Sequence, residues 1–341
     1  MRDPYPVLER FAYLNAGTFG PLARVTADAM RDQLGADEAD GRQGKAYFER
    51  MLALREEVRG KLAAVVGVAP EHLALTSSTT ESCNVVLAGL RLGPDDEVVT
   101  SDEEHFGLIG ALIASGARLR IGPPEQLPEL VGPRTRLVAL SHVSWVSGNR
   151  LPVDAFRGVP VLVDGAQAAG AIPVDATAFD YYTISAQKWL CGPDATGALV
   201  VREPESLAIA APSYFSQEAY DLSAGTFEPK AGAARFDGGW IPTASLAGLS
   251  AALDVHPNDA YDRAAAATAR CRELLASRVE IVTEPDQATL LSFRHDDPAA
   301  LVAGLAEQDV IVRDIPKTGL VRVSCGYWTN DADLERLVAA L

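Results

Sequence analysis

The chain has 341 residues, of which 48% are apolar and 22% charged, and its formal net charge is −16. This is the profile of a folded globular chain with room for one large domain and a smaller one, not of a disordered polymer. The acidic balance, with no Lys/Arg cluster, excludes a face built for phosphodiester backbones and serves solubility instead.

No apolar run approaches membrane-spanning length, and the stretch Met1 to Arg10 carries charges where a signal peptide needs an apolar core. A cytoplasmic protein with neither nucleic-acid nor membrane partners is expected. Cys83, Cys191, Cys271 and Cys325 are far apart, with no CxxC pair and no His at ligand spacing. Neither a metal site nor a disulfide framework is indicated.

In chain order, Phe11 to Pro21 is a short apolar piece running into a Gly/Pro-punctuated loop, the kind that approaches something closely. Residues from about 22 to 66 read as helical, with Phe48, Met51, Leu54 and Val58 as one buried stripe. Strand candidates then alternate with helices or loops: His72–Thr76, Glu97–Thr100, Arg118–Ile121, Arg136–Ser141, Val159–Asp164, Tyr181–Ser185 and Gly197–Val201. That alternation predicts an α/β fold, a mostly parallel seven-stranded sheet between helices. After about residue 244 come an Ala-rich helix pair (Ser245–Asp254, Asp259–Ser277), two or three strands and two helices, read as a smaller α+β unit.

Ligands of such sheets collect at the carboxyl ends of the strands. Lys188 ends an apolar, β-branched and aromatic run and alone among five lysines looks partly buried. Desolvation there would lower its pKa and make it a nucleophile toward a carbonyl; a snorkelling structural lysine is the alternative. Ser78, Thr79 and Thr80 open a helix after a strand, suited to a phosphate or to ordinary capping. Asp164 ends a strand too apolar for a stray charge, and a protonated pyridine nitrogen is one partner that would satisfy it; capping of the next helix is another. Gln167 could point to the same place from that helix. His105 follows another strand and could lie on a planar cofactor, act as an acid or base, or simply cap a helix. Arg313 and Arg322 flank a short turn, and Arg322, embedded in an apolar strand, needs an anion: a substrate carboxylate or an acidic neighbour.

The ordered set Ser-Thr-Thr, His105, Asp164-x-x-Gln167, Ser185-x-x-Lys188 and Arg322 resembles the class V aminotransferase family of fold type I pyridoxal-phosphate enzymes, over nearly the whole chain. The resemblance implies an N-terminal segment (1–20) reaching the active site, a large cofactor-binding domain (21–244), a small C-terminal domain (245–341) and a homodimer with active sites at the interface. It implies that Lys188 forms the Schiff base and shuttles the Cα proton, Asp164 pairs with the pyridine nitrogen, Gln167 reaches the ring hydroxyl and His105 stacks on the ring. Ser78, Thr79, Thr80, Ser185 and Gln187 would hold the phosphate, and Arg322 the carboxylate of an amino-acid substrate.

Within that family, Tyr13-Leu-Asn with Gly17, Glu104-His-Phe-Gly-Leu-Ile109, Leu140-Ser-His with Trp145 and Gly148, and the Arg313/Arg322 pair resemble the cystine/cysteine C-S lyases. Cysteine desulfurases and isopenicillin N epimerase-like proteins share less. A desulfurase carries a nucleophilic cysteine on a loop ahead of the carboxylate-binding arginine, and here that interval is short and holds none. Gln187 stands where histidine is usual, and Trp240 where a threonine often reaches the partner subunit's phosphate. Trp240, Trp145 and Phe19 would make a bulkier pocket wall. The expected reaction is β-elimination from a sulfur-bearing amino acid. Transamination, epimerisation and a non-catalytic binding module are the alternatives.

Overall fold

The computed structural model describes residues 2–341. A short strand β1 (Ala12–Tyr13) precedes helices α1 (Arg24–Asp40) and α2 (Gly44–Val65). Then come β2 (Leu73–Thr76), α3 (Thr79–Leu90), β3 (Glu97–Ser101), α4 (Phe106–Ala114), β4 (Arg118–Gly122), the single turn α5 (Leu127–Leu130), β5 (Thr135–Ser141), β6 (Val161–Asp164), β7 (Tyr181–Ser185) and β8 (Gly197–Val201). A hairpin of β9 (Gln217–Asp221) and β10 (Thr226–Pro229) leads to α6 (Thr243–Asp254) and α7 (Ala260–Leu275). The chain closes with β11 (Leu290–Arg294), α8 (Pro298–Glu307), β12 (Val310–Ile311), β13 (Arg313–Ile315), β14 (Leu320–Ser324) and α9 (Asp331–Ala339).

Strands β2 to β8 form one sheet in the order β2-β8-β7-β6-β5-β3-β4. Strands β3 to β7 pair in parallel, and β8 runs antiparallel between β7 and β2. The central strands are buried on both faces, so alternate residues enter two separate cores. Val161, Val163, Tyr182 and Ile184 join Val58 and Leu62 of α2 on one side. Leu162, Tyr181 and Leu199 meet Val86 of α3 and Leu108 and Leu112 of α4 on the other. The strand positions expected from the sequence match these seven strands to within about two residues.

Because β8 is antiparallel to both its neighbours, β2 points the same way as β7. The carboxyl ends of β2, β3, β5, β6 and β7 therefore open on one edge of the sheet. The N-terminal segment reaches this edge by a long route: β1 pairs in parallel with β12, and Asn15 bridges Ser324 at the end of β14. Leu14 accordingly sits in a core with Phe293, Val321, Val323 and Leu334, far along the chain. Helix α6 packs against α1 and α2.

The helical stripe of α2 carries more than apolar contacts. Arg55 and Arg59 lie between its core residues, both buried, and both bind the fully buried Asp237. Charge at a buried position gave no sign of itself in the apolar spacing. Only the fold brings Asp237 to the other side of the contact.

Candidate active site

The sheet edge collects the residues singled out in the sequence. Ser141 of β5, Asp164 of β6 and Thr183 of β7 are neighbours across the ladder. Asp164 is buried, and its Oδ1 accepts the Ala166 N–H at 2.9 Å and the Thr183 hydroxyl at 3.3 Å. Among the described residues no cationic side chain stands within ion-pair distance of it. A carboxylate so placed is completed by a donor or cation brought from outside.

Lys188 lies just past β7, deep in the protein yet with part of its surface open. Burial pushes its amine down to about 8; the Asp164 carboxylate opposes that shift, while Arg322 and Arg313 add to it. The neutral, nucleophilic amine is thus accessible near neutral pH. The loop's path is set by a close approach: the Gly20 N–H donates to the Gln187 carbonyl at 2.8 Å. The Phe11–Pro21 loop expected to approach something closely therefore lies on the lysine turn.

Ser78 caps α3, its hydroxyl accepting the Glu81 N–H at 3.1 Å. The N–H groups of Thr79 and Thr80 fall in the first turn and have no intrahelical acceptor, which leaves them for an anion. Gly197 makes this turn possible, since a Cβ there would stand 3.2 Å from the Ser78 backbone and 2.6 Å from the Ile184 carbonyl. At the end of β7, the Ser185 hydroxyl donates to Gln187 Oε1 at 2.9 Å, which leaves the Gln187 amide hydrogens available. Capping and anion binding coexist here: the Ser78 side chain is used by the cap, while the backbone donors stay free.

Gln167 is buried and held at both ends of its amide. It donates to the Gly17 carbonyl at 2.8 Å and accepts the Trp189 indole N–H at 3.0 Å, leaving one amide hydrogen free. His105 caps α4: its Nδ1 accepts the Gly107 N–H at 3.1 Å, so the neutral ring carries its proton on Nε2. Its ring meets the Trp145 ring edge to face at 5.1 Å. Partial burial and then the Lys188 charge hold this imidazole below its usual range, so it presents a neutral aromatic face.

Arg322 is fully buried, 0% exposed, and is joined by Arg313. Its Nη1 donates to the Trp145 carbonyl at 3.0 Å, and its Nη2 and the Arg313 Nη1 both reach the Thr18 hydroxyl, at 3.4 and 3.3 Å. Nε of Arg322 has no partner, and among the described residues neither guanidinium is paired with a carboxylate. Burial, with the Arg313 charge second, pushes Arg322 down to about 9. Two converging cations without an acid form a receptor for a carboxylate.

Trp240 and Phe19 differ from the rest. Trp240 is 66% exposed and stacks on Tyr214 and against Phe215, and Phe19 is 50% exposed. A single chain leaves both at the surface rather than in the pocket wall. Thr18, Glu104 and Gly20 were not singled out individually in the sequence. Thr18 and Gly20 lie inside the Gly/Pro loop, which was the available signal. A cavity of about 400 Å³ between α7 and the 283–290 loop, lined by Tyr261, Arg272 and Thr289, contains none of the predicted site residues.

Taken together, the edge offers free helix-start N–H groups, an uncompensated carboxylate, a primary amine with lowered pKa, an aromatic face and a pair of unpaired guanidiniums. These donors fit pyridoxal 5'-phosphate with an amino acid beside it: phosphate, ring nitrogen, carbonyl carbon, ring face and substrate carboxylate each find a counterpart.

The model of the family described as "Aminotransferase class-V" matches residues 13–337. Isopenicillin N epimerase of Streptomyces clavuligerus is 29% identical, covering 96% of this chain and 93% of its own length. Cysteine desulfurase CsdA of Escherichia coli is 29% identical over 100% of this chain and 96% of its own. Among solved structures, the cystine C-S lyase C-DES in complex with its reaction product cysteine persulfide superposes with a TM-score of 0.92 at 28% identity, covering 98% of both chains. A C-DES mutant with glycine covalently linked to its PLP cofactor gives the same TM-score, at 29% identity and 99% and 98% coverage. The chain belongs to the class V aminotransferase family and is a pyridoxal 5'-phosphate-dependent enzyme.

Proposed function

We propose that the enzyme is a C-S lyase, cleaving the Cβ–S bond of cystine, cysteine or a cysteine S-conjugate. The observation that carries this reading is the placement of its cysteines. Cys83, Cys191, Cys271 and Cys325 are all buried, and the turn between β13 and β14, ahead of Arg322, holds none. A desulfurase needs an accessible thiolate to take sulfur from the substrate, so sulfur here leaves with the departing group. Similarity to the cystine C-S lyase along almost the full chain supports the same choice.

Pyridoxal phosphate, when bound, supplies the electron sink that acidifies the substrate Cα–H. Ser78, Thr79 and Thr80 with Ser185 and Gln187 anchor the phosphate. Asp164 would hold the ring nitrogen protonated, Gln167 would offer its remaining amide hydrogen to the ring oxygen, and His105 would cover a ring face. Arg322, with Arg313 beside it, grips the α-carboxylate and so orients Cα–H toward Lys188. Neutral Lys188 takes that proton; the Cβ–S electron pair leaves with sulfur, which collects a proton as the thiol or persulfide. The remaining 2-aminoacrylate reacts with water to give pyruvate and ammonia.

A homodimer belongs to this reading. Phe19, Phe106 and Trp240 are 50, 76 and 66% exposed, and Leu22 and Val25 lie exposed in the same N-terminal stretch as Phe19. A second copy would cover them and turn Trp240 into a wall of a neighbouring pocket. A cytoplasmic location is part of the proposal too; no helix among the described residues is long and apolar enough to cross a membrane.

The test incubates purified holoenzyme with cystine and with a cysteine S-conjugate and follows pyruvate, ammonia and the sulfur product together, persulfide from cystine and thiol from the conjugate. Equimolar release of the three is expected. A keto acid with the intact side chain and no thiol would mean transamination, and racemised substrate without pyruvate would mean epimerisation. Sedimentation of the same preparation reports the dimer.

A further inference from the structure

One half-buried carboxyl beside the site has no part in the chemistry above. Glu104 precedes His105 and turns its carboxylate into the protein. Its Oε1 accepts the Ser101 hydroxyl at 2.8 Å and the Ser141 N–H at 3.0 Å; its Oε2 accepts the same N–H at 3.1 Å and the Ser141 hydroxyl at 2.6 Å. Every one of these groups is a donor, an arrangement made for a carboxylate. Ser101 ends β3, and Ser141 ends β5 beside Asp164.

The neighbouring Glu103 makes a parallel link, accepting the Ser147 hydroxyl at 2.6 Å. Residues 141 and 147 bracket the loop that carries Trp145, whose ring meets His105 and whose carbonyl holds Arg322. The turn after β3 and the loop after β5 are thus sewn together under the two groups that face the cofactor and the substrate carboxylate. A carboxyl of no structural consequence would be costly here: burial drives Glu104 up to about 7, with the serine donors opposing.

We propose that Glu104 is a positioning residue, fixing the His105 ring relative to Asp164 and to the Trp145 loop through its clasp on Ser141. It touches neither cofactor nor substrate. The proposal rests on the cofactor's seat among Ser78, Asp164 and Lys188 and holds for any reaction run there.

The experiment compares Glu104→Ala, Glu104→Gln and Ser141→Ala as holoenzymes. Visible-region circular dichroism reads the asymmetry imposed on the bound cofactor, hydrogen exchange reads residues 101–107 and 141–147, and kinetics separate kcat from KM. Glu104→Ala should keep its cofactor, change the dichroic band, exchange faster in those two segments only, and lose about 10- to 100-fold in kcat with KM within about threefold, the cost of a small misplacement. Glutamine can accept the Ser141 N–H and donate to its hydroxyl, so Glu104→Gln should recover to within about threefold of the parent. Ser141→Ala keeps the backbone donor and should fall between them.

An unchanged dichroic band with kcat within about twofold in Glu104→Ala would overturn the proposal. So would equal losses in the Ala and Gln variants with faster exchange throughout the chain, since that marks a general fold defect. If Glu104→Ala does not fold, Ser141→Ala with wild-type dichroism and exchange overturns it by itself. Dichroism and exchange require no substrate, so a wrong choice of reaction leaves these two measurements standing.

Discussion

A Cβ placed on Gly20 would stand 2.0 Å from the Lys188 carbonyl oxygen. The N-terminal segment therefore presses on the lysine turn with no room for a side chain. The nearest atom, Lys188 O, is backbone and cannot swing away as a flexible side chain would; the Cys191 Sγ and Cα follow at 3.0 and 3.1 Å. Gly20→Ala is expected to destabilise the protein by about 1–3 kcal/mol and to shift the lysine from its seat. Thermal unfolding and the visible absorbance of bound cofactor check this; an alanine variant with an unchanged spectrum and Tm would contradict it.

Lys188 must lose a proton before it can attack a carbonyl. With its amine pushed down to about 8, the rate of cofactor capture by the apoenzyme should rise with pH and level off above that value, falling about tenfold per pH unit well below it. The same shift has a stability sign. The folded state holds the proton less tightly than the unfolded chain, so between pH 8 and the ordinary lysine value the unfolded state binds more protons, and stability from this group rises with pH. Stopped-flow absorbance across pH 6 to 10 measures the first effect, and urea titrations of the apoenzyme measure the second.

Arg322 is a cation stored where the chain supplies no anion. Arg322→Met keeps much of the volume and removes the charge, so the apoenzyme should hold or gain thermal stability. Its kcat/KM for the amino acid should fall about 100-fold, about 2.7 kcal/mol, because the α-carboxylate loses a charge-assisted bond. A stable variant with unchanged kcat/KM would remove Arg322 from the carboxylate site.

Asp237 shows the opposite arrangement, an anion shared by two buried cations. It accepts from Arg59 at 2.8 and 3.0 Å, from Arg55 at 3.1 Å and from the Leu75 N–H at 2.9 Å. Asp237→Ala leaves Arg55 without a carboxylate in the core and Arg59 with only the exposed Glu56, and should cost about 3–5 kcal/mol in urea unfolding. Since Gly238 also bonds to the end of β2 through the Leu75 carbonyl, cofactor retention should weaken as well.

The sequence by itself determined the sheet, its strand ends and the residues that stand on them. Ser78 to Thr80, His105, Asp164, Gln167 and Lys188 each come after a recognisable apolar run, and parallel α/β sheets gather the residues at the ends of such runs on one edge. That is local information, carried by side-chain periodicity and by polar residues at its breaks. Only the tertiary structure decided that Thr18 bridges Arg313 and Arg322, 295 and 304 residues away. The same holds for Gly20 on the lysine turn, for Arg55 and Arg59 on Asp237, and for the clasp of Glu104 on Ser141. Those contacts depend on where distant segments cross, which no period of 2 or 3.6 residues records. The surface-exposed Trp240 and Phe19 lie one level further out, where a second chain rather than the fold of one would decide their surroundings.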